Sequence, residues 1–264
     1  MKYNLAFKYR IYPNKEQELL INKTFGCVRF VYNTILYTAN KIYEETGKNK
    51  IITPASLKSE NQFLKEVDSL ALSNAQLNVK RSFTNFFQKR AKFPRFKSKK
   101  NNVKSYTTNC VNNSIRIEEN KYLVLPKLKK VKLKYHREIP KDYRIKSVTL
   151  TNSNGNYYVS VLTEFEKEIQ KMPSNDKVIG LDFSMSELFV SSENQRADYP
   201  RYFRMLEKKL KKLQKSLSRK VKFSKNWYKQ KAKISKLHEY IKNCRRDFLH
   251  KLSKKLSKEY NAVV

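Results

Sequence analysis

One carboxylate and one basic strip are the residues of this chain best placed to do chemistry. Asp182 lies in Lys177–Val190, "KVIGLDFSMSELFV". Lys177–Leu181 is short, β-branched and punctuated by Gly180, so it reads as a buried strand. Asp182 then stands at that strand's open end, and Leu188-Phe189-Val190 reads as a returning strand. A carboxylate displayed there can hold a metal ion or help place a phosphate. The second feature is residues 88–100, "QKRAKFPRFKSKK". Lys89, Arg90, Lys92, Arg95, Lys97, Lys99 and Lys100 stand there without an acidic residue, and Phe93 and Phe96 flank Pro94. Cations interleaved with aromatics fit contact with a phosphate backbone, whereas a merely solvated linker has no use for two phenylalanines. Just upstream, Asn74, Asn78, Arg81 and Asn85 recur at helical spacing. Amides and guanidinium groups can pair with base edges. A solvated polar face is the plainer reading of the same pattern.

Composition narrows the partner. The 264 residues carry a formal net charge of +35, from 58 Lys+Arg against 23 Asp+Glu. Codon bias explains abundant Lys, Asn and Ile, but not so large an excess of basic over acidic residues. A compact chain with that charge repels itself, so a polyanionic partner is expected, nucleic acid before an anionic membrane surface. No apolar run approaches a spanning helix, and the N-terminus lacks a signal-peptide core, so a cytoplasmic protein without membrane contact is expected. Hydrophobic residues at 39% and aromatics at 12% are too many for a disordered chain. Cys27, Cys110 and Cys244 are far apart, with no CxxC or His/Cys cluster, so no zinc site is expected. No phosphate-cradling glycine loop is present, which speaks against a nucleotide-hydrolysing motor.

The elements that must position these residues follow from periodicity. Tyr3–Tyr12 alternates as a strand with Lys8 and Arg10 outward. Asn14 and Gln17 form a capping-box pattern that opens a helix over about 15–25. Gly26 is expected to break it, with a second helix running to about 46 and ended by Gly47. Helix, glycine and helix admit a helix-turn-helix, although a structural hairpin is the plainer account. A further helix starts near Ser73, burying Leu72, Ala75, Val79, Phe83 and Phe86. Residues 104–165 hold five or six short strand-like runs, including a hairpin at Asn154-Gly155, and suggest a small barrel that Tyr3–Tyr12 completes. The polar stretch 165–176 reads as a linker. Residues 201–260 carry 22 Lys+Arg and four acidic residues. Leu206, Leu210, Leu213 and Leu217 make one apolar stripe, and Ile234, Leu237, Ile241, Cys244, Phe248, Leu252 and Leu256 another, giving a basic helical hairpin.

Taken together, "KYRIYPNKEQELLINKTFGCVRFVYN", "FPRFKSKK", "SYTTN…SIRIE", "KLKYHREIP", "GLDFSM" and "LSRK…SKN…KLHEYIKNCRRDFLHKLS" resemble the TnpB/OrfB proteins of bacterial insertion sequences, relatives of the type V CRISPR effectors. The resemblance covers essentially the whole chain. It implies an α+β multidomain fold: a wedge-type β-barrel (1–13 plus 93–170) interrupted by a helical recognition domain (14–92). A linker (171–176) and a partial RuvC-like domain of RNase H fold (177–264) would follow. It also implies a transposon-encoded guide RNA, a double-stranded DNA target and Mg²⁺ in a completed RuvC site. Asp182 matches the family's first RuvC carboxylate.

The expected second carboxylate, on a strand beginning near Ala262, is not reached before Val264, and the third carboxylate and zinc-ribbon cysteines are not reached either. Two-metal phosphodiester cleavage needs several carboxylates converging on ions about 4 Å apart. The leading expectation is therefore a truncated, nucleic-acid-binding protein that does not cut by itself. The alternatives are an endonuclease completed by a C-terminal fragment or longer reading frame, and an RNA-guided DNA-binding repressor.

Overall fold

The computed structural model describes residues 1–100, 103–168, 177–184, 186–197 and 200–264. The chain divides into two units, Met1–Glu168 and Ile169–Val264. The stretch expected as a linker, 171–176, lies outside the described residues.

The first unit begins with strand β1 (Lys2–Tyr12), whose Lys8 and Arg10 are exposed as alternation predicts. Helix α1 (Lys15–Thr46) follows. The Asn14 side chain accepts from the Gln17 N–H at 2.8 Å and the Gln17 Oε1 accepts from the Asn14 N–H at 3.0 Å, completing the capping box. Gly47, with φ 64, closes the helix in the left-handed region. Between these ends the helix is continuous, so the expected break at Gly26 is absent. An interior glycine costs a helix only about 1 kcal/mol. The buried stripe Ile21, Phe25, Val28, Val31, Tyr32, Ile35 and Leu36 passes Gly26 in unbroken phase, and its burial outweighs that cost. A short helix α2 (Pro54–Leu57) leads to α3 (Ser69–Phe87). Helix α3 starts one turn before the predicted Ser73 because the Asp68 side chain caps it through the Leu70 N–H at 3.0 Å.

Strands β2 (Val103–Asn109), β3 (Arg116–Glu118), β4 (Tyr122–Leu125), β5 (Lys129–Lys134), β6 (Arg144–Ser153) and β7 (Asn156–Glu166) complete the unit. With β1 they form one curled antiparallel sheet in the order β2-β6-β7-β1-β5-β4-β3. The N-terminal strand lies inside the sheet, paired with β7 from Lys2↔Glu166 to Ile11↔Tyr157 and with β5 at Arg10–Tyr12. The helices are therefore inserted between two strands of one sheet. Among the described residues no ladder joins the outer strands β2 and β3, so a curled sheet stands where a barrel is expected from sequence. One core joins sheet and helices: Tyr9 and Ile11 of β1, Val31 and Ile35 of α1, Leu72 and Val79 of α3, and Leu150 and Val161 of the sheet are all buried.

The second unit holds β8 (Val178–Ile179), β9 (Leu181–Phe183), β10 (Phe189–Ser191), α4 (Tyr202–Ser218), α5 (Lys225–Glu259) and β11 (Ala262–Val263). Strands β9 and β10 form the expected hairpin. Strand β11 pairs with β8 in parallel, Ala262↔Val178 and Val263↔Ile179, so the backbone of β8 is not left without a neighbour on that side. Helices α4 and α5 pack through Leu210, Leu237 and Ile241, with Tyr202, Leu206, Leu213 and Ile234 at the margin.

Candidate nucleic-acid interface

Helix α3 delivers the basic strip. Its C-terminal end places Phe83 and Phe86 beside Phe93 of the strip, with the Phe93 centroid 5.9 Å from Phe83 and 5.2 Å from Phe86, both edge-on. Such pairs contribute beyond the area they bury. Pro94, the next residue, is buried. Three residues on, the Lys97 N–H donates to the Asn33 Oδ1 at 2.8 Å and the Asn33 Nδ2 donates to the Lys97 carbonyl at 3.1 Å. The Lys97 ammonium sits 4.1 Å from the centroid of Tyr32, a cation–π contact. Lys97 as a residue is exposed, but its surroundings strip enough water from the ammonium to lower its pKa below the usual lysine value. The strip is thus tied to α1 by its backbone and to α3 by an aromatic ring, while Lys89, Arg90, Lys92, Arg95, Lys99 and Lys100 are exposed.

The residues expected on the polar face of α3 divide. Asn74 is half-buried, and its amide donates to the Leu70 carbonyl at 2.9 Å and the Asn109 Oδ1 at 3.4 Å, fastening α3 to β2. Asn78 is half-buried, with its carbonyl accepting from Ser82 Oγ at 2.7 Å, and Arg81 is exposed. The Asn85 carbonyl accepts from the N–H groups of Arg90 and Ala91, turning the chain from helix into strip. Sequence periodicity finds the strip and the helix. It misses the contacts of Tyr32 and Asn33 on α1 with the strip, because Lys97 is 64 residues from Asn33 and no local pattern reports it.

Asp182 is exposed and lies mid-strand in β9, opposite Val190 of β10, rather than beyond a strand's open end. Gly180 does not end the extended backbone: β8 and β9 pair on different sides, with the Leu181 N–H donating to the Val264 carbonyl at 2.8 Å and the Ser192 N–H to the Gly180 carbonyl at 2.9 Å. Among the described residues no group of three His, Cys, Asp or Glu side chains is brought together. Asp182 suits a single contact to Mg²⁺ and does not by itself fit a two-metal site. The nearby Glu187 faces Arg196 at 3.6 Å instead. The outer faces of α4 and α5 carry exposed lysines and arginines, adding a second basic surface.

Comparison with known proteins gives a consistent family. Residues 1–48 match the helix-turn-helix domain of the OrfB_IS605 family, and residues 159–264 match the OrfB_IS605 probable transposase. Within the first match the structure holds a strand and one unbroken helix. The chain is 36% identical over 275 residues to the putative RNA-guided DNA endonuclease InsQ of Escherichia coli K12, covering 100% of this chain and 66% of that protein. It is 34% identical over 268 residues to a putative RNA-guided DNA endonuclease of Streptomyces pristinaespiralis, covering 98% of this chain and 65% of that protein. The chain thus spans about two thirds of the length of these curated relatives. Its fold is similar to the cryo-EM structure of a Cas12f1–sgRNA–target DNA complex, with a TM-score of 0.53 and 12% identity, covering 97% of this chain and 78% of that one. The chain belongs to the TnpB/OrfB family of insertion-sequence, transposase-associated proteins.

Proposed function

We propose that this chain binds a guide RNA and double-stranded DNA, as a part of an RNA-guided DNA endonuclease of the kind its relatives' names describe. The observation that carries this reading is the basic strip at 88–100, held in place by Phe93, Pro94 and Asn33 while its cations other than Lys97 are left to solvent. In this reading the curled sheet (1–13 plus 93–170) serves as a wedge domain and residues 14–92 as the recognition domain. Residues 171–176 link them to a RuvC-like part at 177–264. Asp182 supplies one Mg²⁺ ligand there, and cutting requires further carboxylates converging with it, for instance from a complementing C-terminal segment.

The test is binding of RNA and duplex DNA, followed by fluorescence anisotropy from about 50 to 200 mM salt. Engagement of most of the strip gives a log–log slope of about −6, because each neutralised phosphate releases condensed counterion. Replacing Arg95 and Lys97 with Ala lowers that slope by about 2 and weakens all sequences alike, whereas Arg81→Ala alters preference among DNA sequences. A salt-independent affinity, or identical behaviour of the two sets, refutes the assignment.

A further inference from the structure

Beside the strip, α1 and the start of β2 enclose a cleft of about 450 Å³. Its floor is apolar: Phe25 and Val28, each 5% exposed, present ring and methyl groups with no polar atom to satisfy. Phe96 lines the same cleft and is 56% exposed. Three cations border it from three separate segments: Arg29 of α1, Lys97 of the strip and Lys104 of β2. The volume is within the range of small-ligand pockets, and an unpaired base offers an open π-face that a base stacked in a duplex does not.

Each feature is awkward for the folded chain by itself. Phe96 leaves a large aromatic surface in water, and Arg29, Lys97 and Lys104 bring three cations to a cleft with no carboxylate among its lining residues. An unstacked nucleotide relieves both, since a base has an apolar π-face for Phe96 and the floor, while its flanking phosphates meet the three cations. A phosphate alone would leave the ring unused, and an apolar ligand would leave the cations unneutralised.

We infer that the cleft bounded by Phe25, Val28, Arg29, Phe96, Lys97 and Lys104 holds a single unpaired nucleotide of a bound strand, with its base stacked on Phe96. This rests on the nucleic-acid-binding reading and adds to it a subsite selective for unpaired over paired nucleotides. The cleft is pre-formed, because the Asn33–Lys97 hydrogen bonds hold its strip wall against α1.

The experiment uses the full chain and three probes: a single-stranded RNA, a single-stranded DNA of the same sequence, and the corresponding duplex. Each carries 2-aminopurine, whose fluorescence is quenched on stacking. Phe96→Ala should weaken binding of single strands about tenfold and abolish the quench, with duplex affinity unchanged. Phe96→Tyr should restore both, and thermal melting of each variant separates a lost contact from a lost fold. Stronger quenching with RNA than with DNA assigns the nucleotide to RNA, and the reverse assigns it to DNA. Equal loss of single-strand and duplex binding in a folded Phe96→Ala variant, or no loss of either, overturns the subsite while leaving the function intact. No binding of any probe by the unmodified chain overturns the function itself.

Discussion

Gly26→Ala offers a quantitative test of the first unit, because its sign depends on whether α1 is one helix. Gly26 has helical backbone angles, and nothing lies within 4 Å of where a Cβ would stand. Alanine therefore adds no clash and removes the conformational freedom that glycine retains in the unfolded chain. The gain is about 0.5–1 kcal/mol. For a unit spanning Met1–Glu168, that corresponds to a rise in Tm of about 1–4 °C. Gly47→Ala is the control of opposite sign. Gly47 sits at φ 64, where a Cβ meets its own carbonyl, and alanine there should cost about 1 kcal/mol. Both are read from urea and thermal unfolding followed by circular dichroism at the helix band. Were Gly26 instead the turn of a helix-turn-helix, alanine would destabilise it much as it does Gly47. A Tm that falls for both variants refutes the continuous helix and the packing argument built on it.

Two further outcomes follow from the same unit. Asn14→Ala removes the side chain that caps α1 and should lower stability by about 1 kcal/mol, with Asn14→Ser retaining most of it, measured by the same unfolding curves. Burial is the main cause that pushes the Cys27 thiol up, with Glu66 adding and Lys23 opposing. At pH 8 iodoacetamide should therefore modify Cys110 and Cys244, both partly exposed, long before Cys27, as read by peptide mass spectrometry. Because the native thiol holds its proton more tightly than the unfolded one, this group's contribution to stability is intact below about pH 8.5 and declines above it. Labelling of Cys27 at the rate of Cys110 in the folded protein would contradict its placement in the core.

Much of this architecture is legible in the sequence where one local rule acts alone. The Asn14–Gln17 capping box, the left-handed Gly47, the Asn154-Gly155 hairpin and the packed parts of the two helical stripes, Leu206, Leu210 and Leu213 against Ile234, Leu237 and Ile241, all follow from spacing over a few residues. Legibility fails where a tertiary contact overrules a local preference. Gly26 reads as a break until the buried stripe on both sides of it is seen to share one core with the sheet. The spacing of Asn74 places it on an exposed polar face, and no local rule reports that Asn109, 35 residues away, accepts its hydrogen bond. Asp182 reads as the end of a strand because Gly180 punctuates it, although backbone pairing continues to Phe183. Its single carboxylate is visible in both sequence and structure. Among the described residues no group of three metal-ligating side chains gathers there, so no spacing rule has a second ligand to report.

The placement of the phenylalanines in the strip has a physical reason that composition alone does not reveal. Seven like charges in thirteen residues repel, and a free segment of that kind would be extended and mobile. A mobile strip would have to surrender its conformational freedom on meeting a nucleic acid, and that loss subtracts directly from affinity. Here the ordering is accomplished during folding. Phe93 docks edge-on against Phe83 and Phe86, Pro94 is buried with fixed φ, and Asn33 grips both backbone groups of Lys97. Among these anchors only Lys97 also contributes its charge, over Tyr32, and the remaining cations are left to solvent. Phe96, two residues beyond Pro94, belongs to no such anchor and keeps more than half of its surface exposed. The two rings therefore differ: Phe93 orders the strip against the protein, and Phe96 is left exposed, as the stacking proposed for it requires.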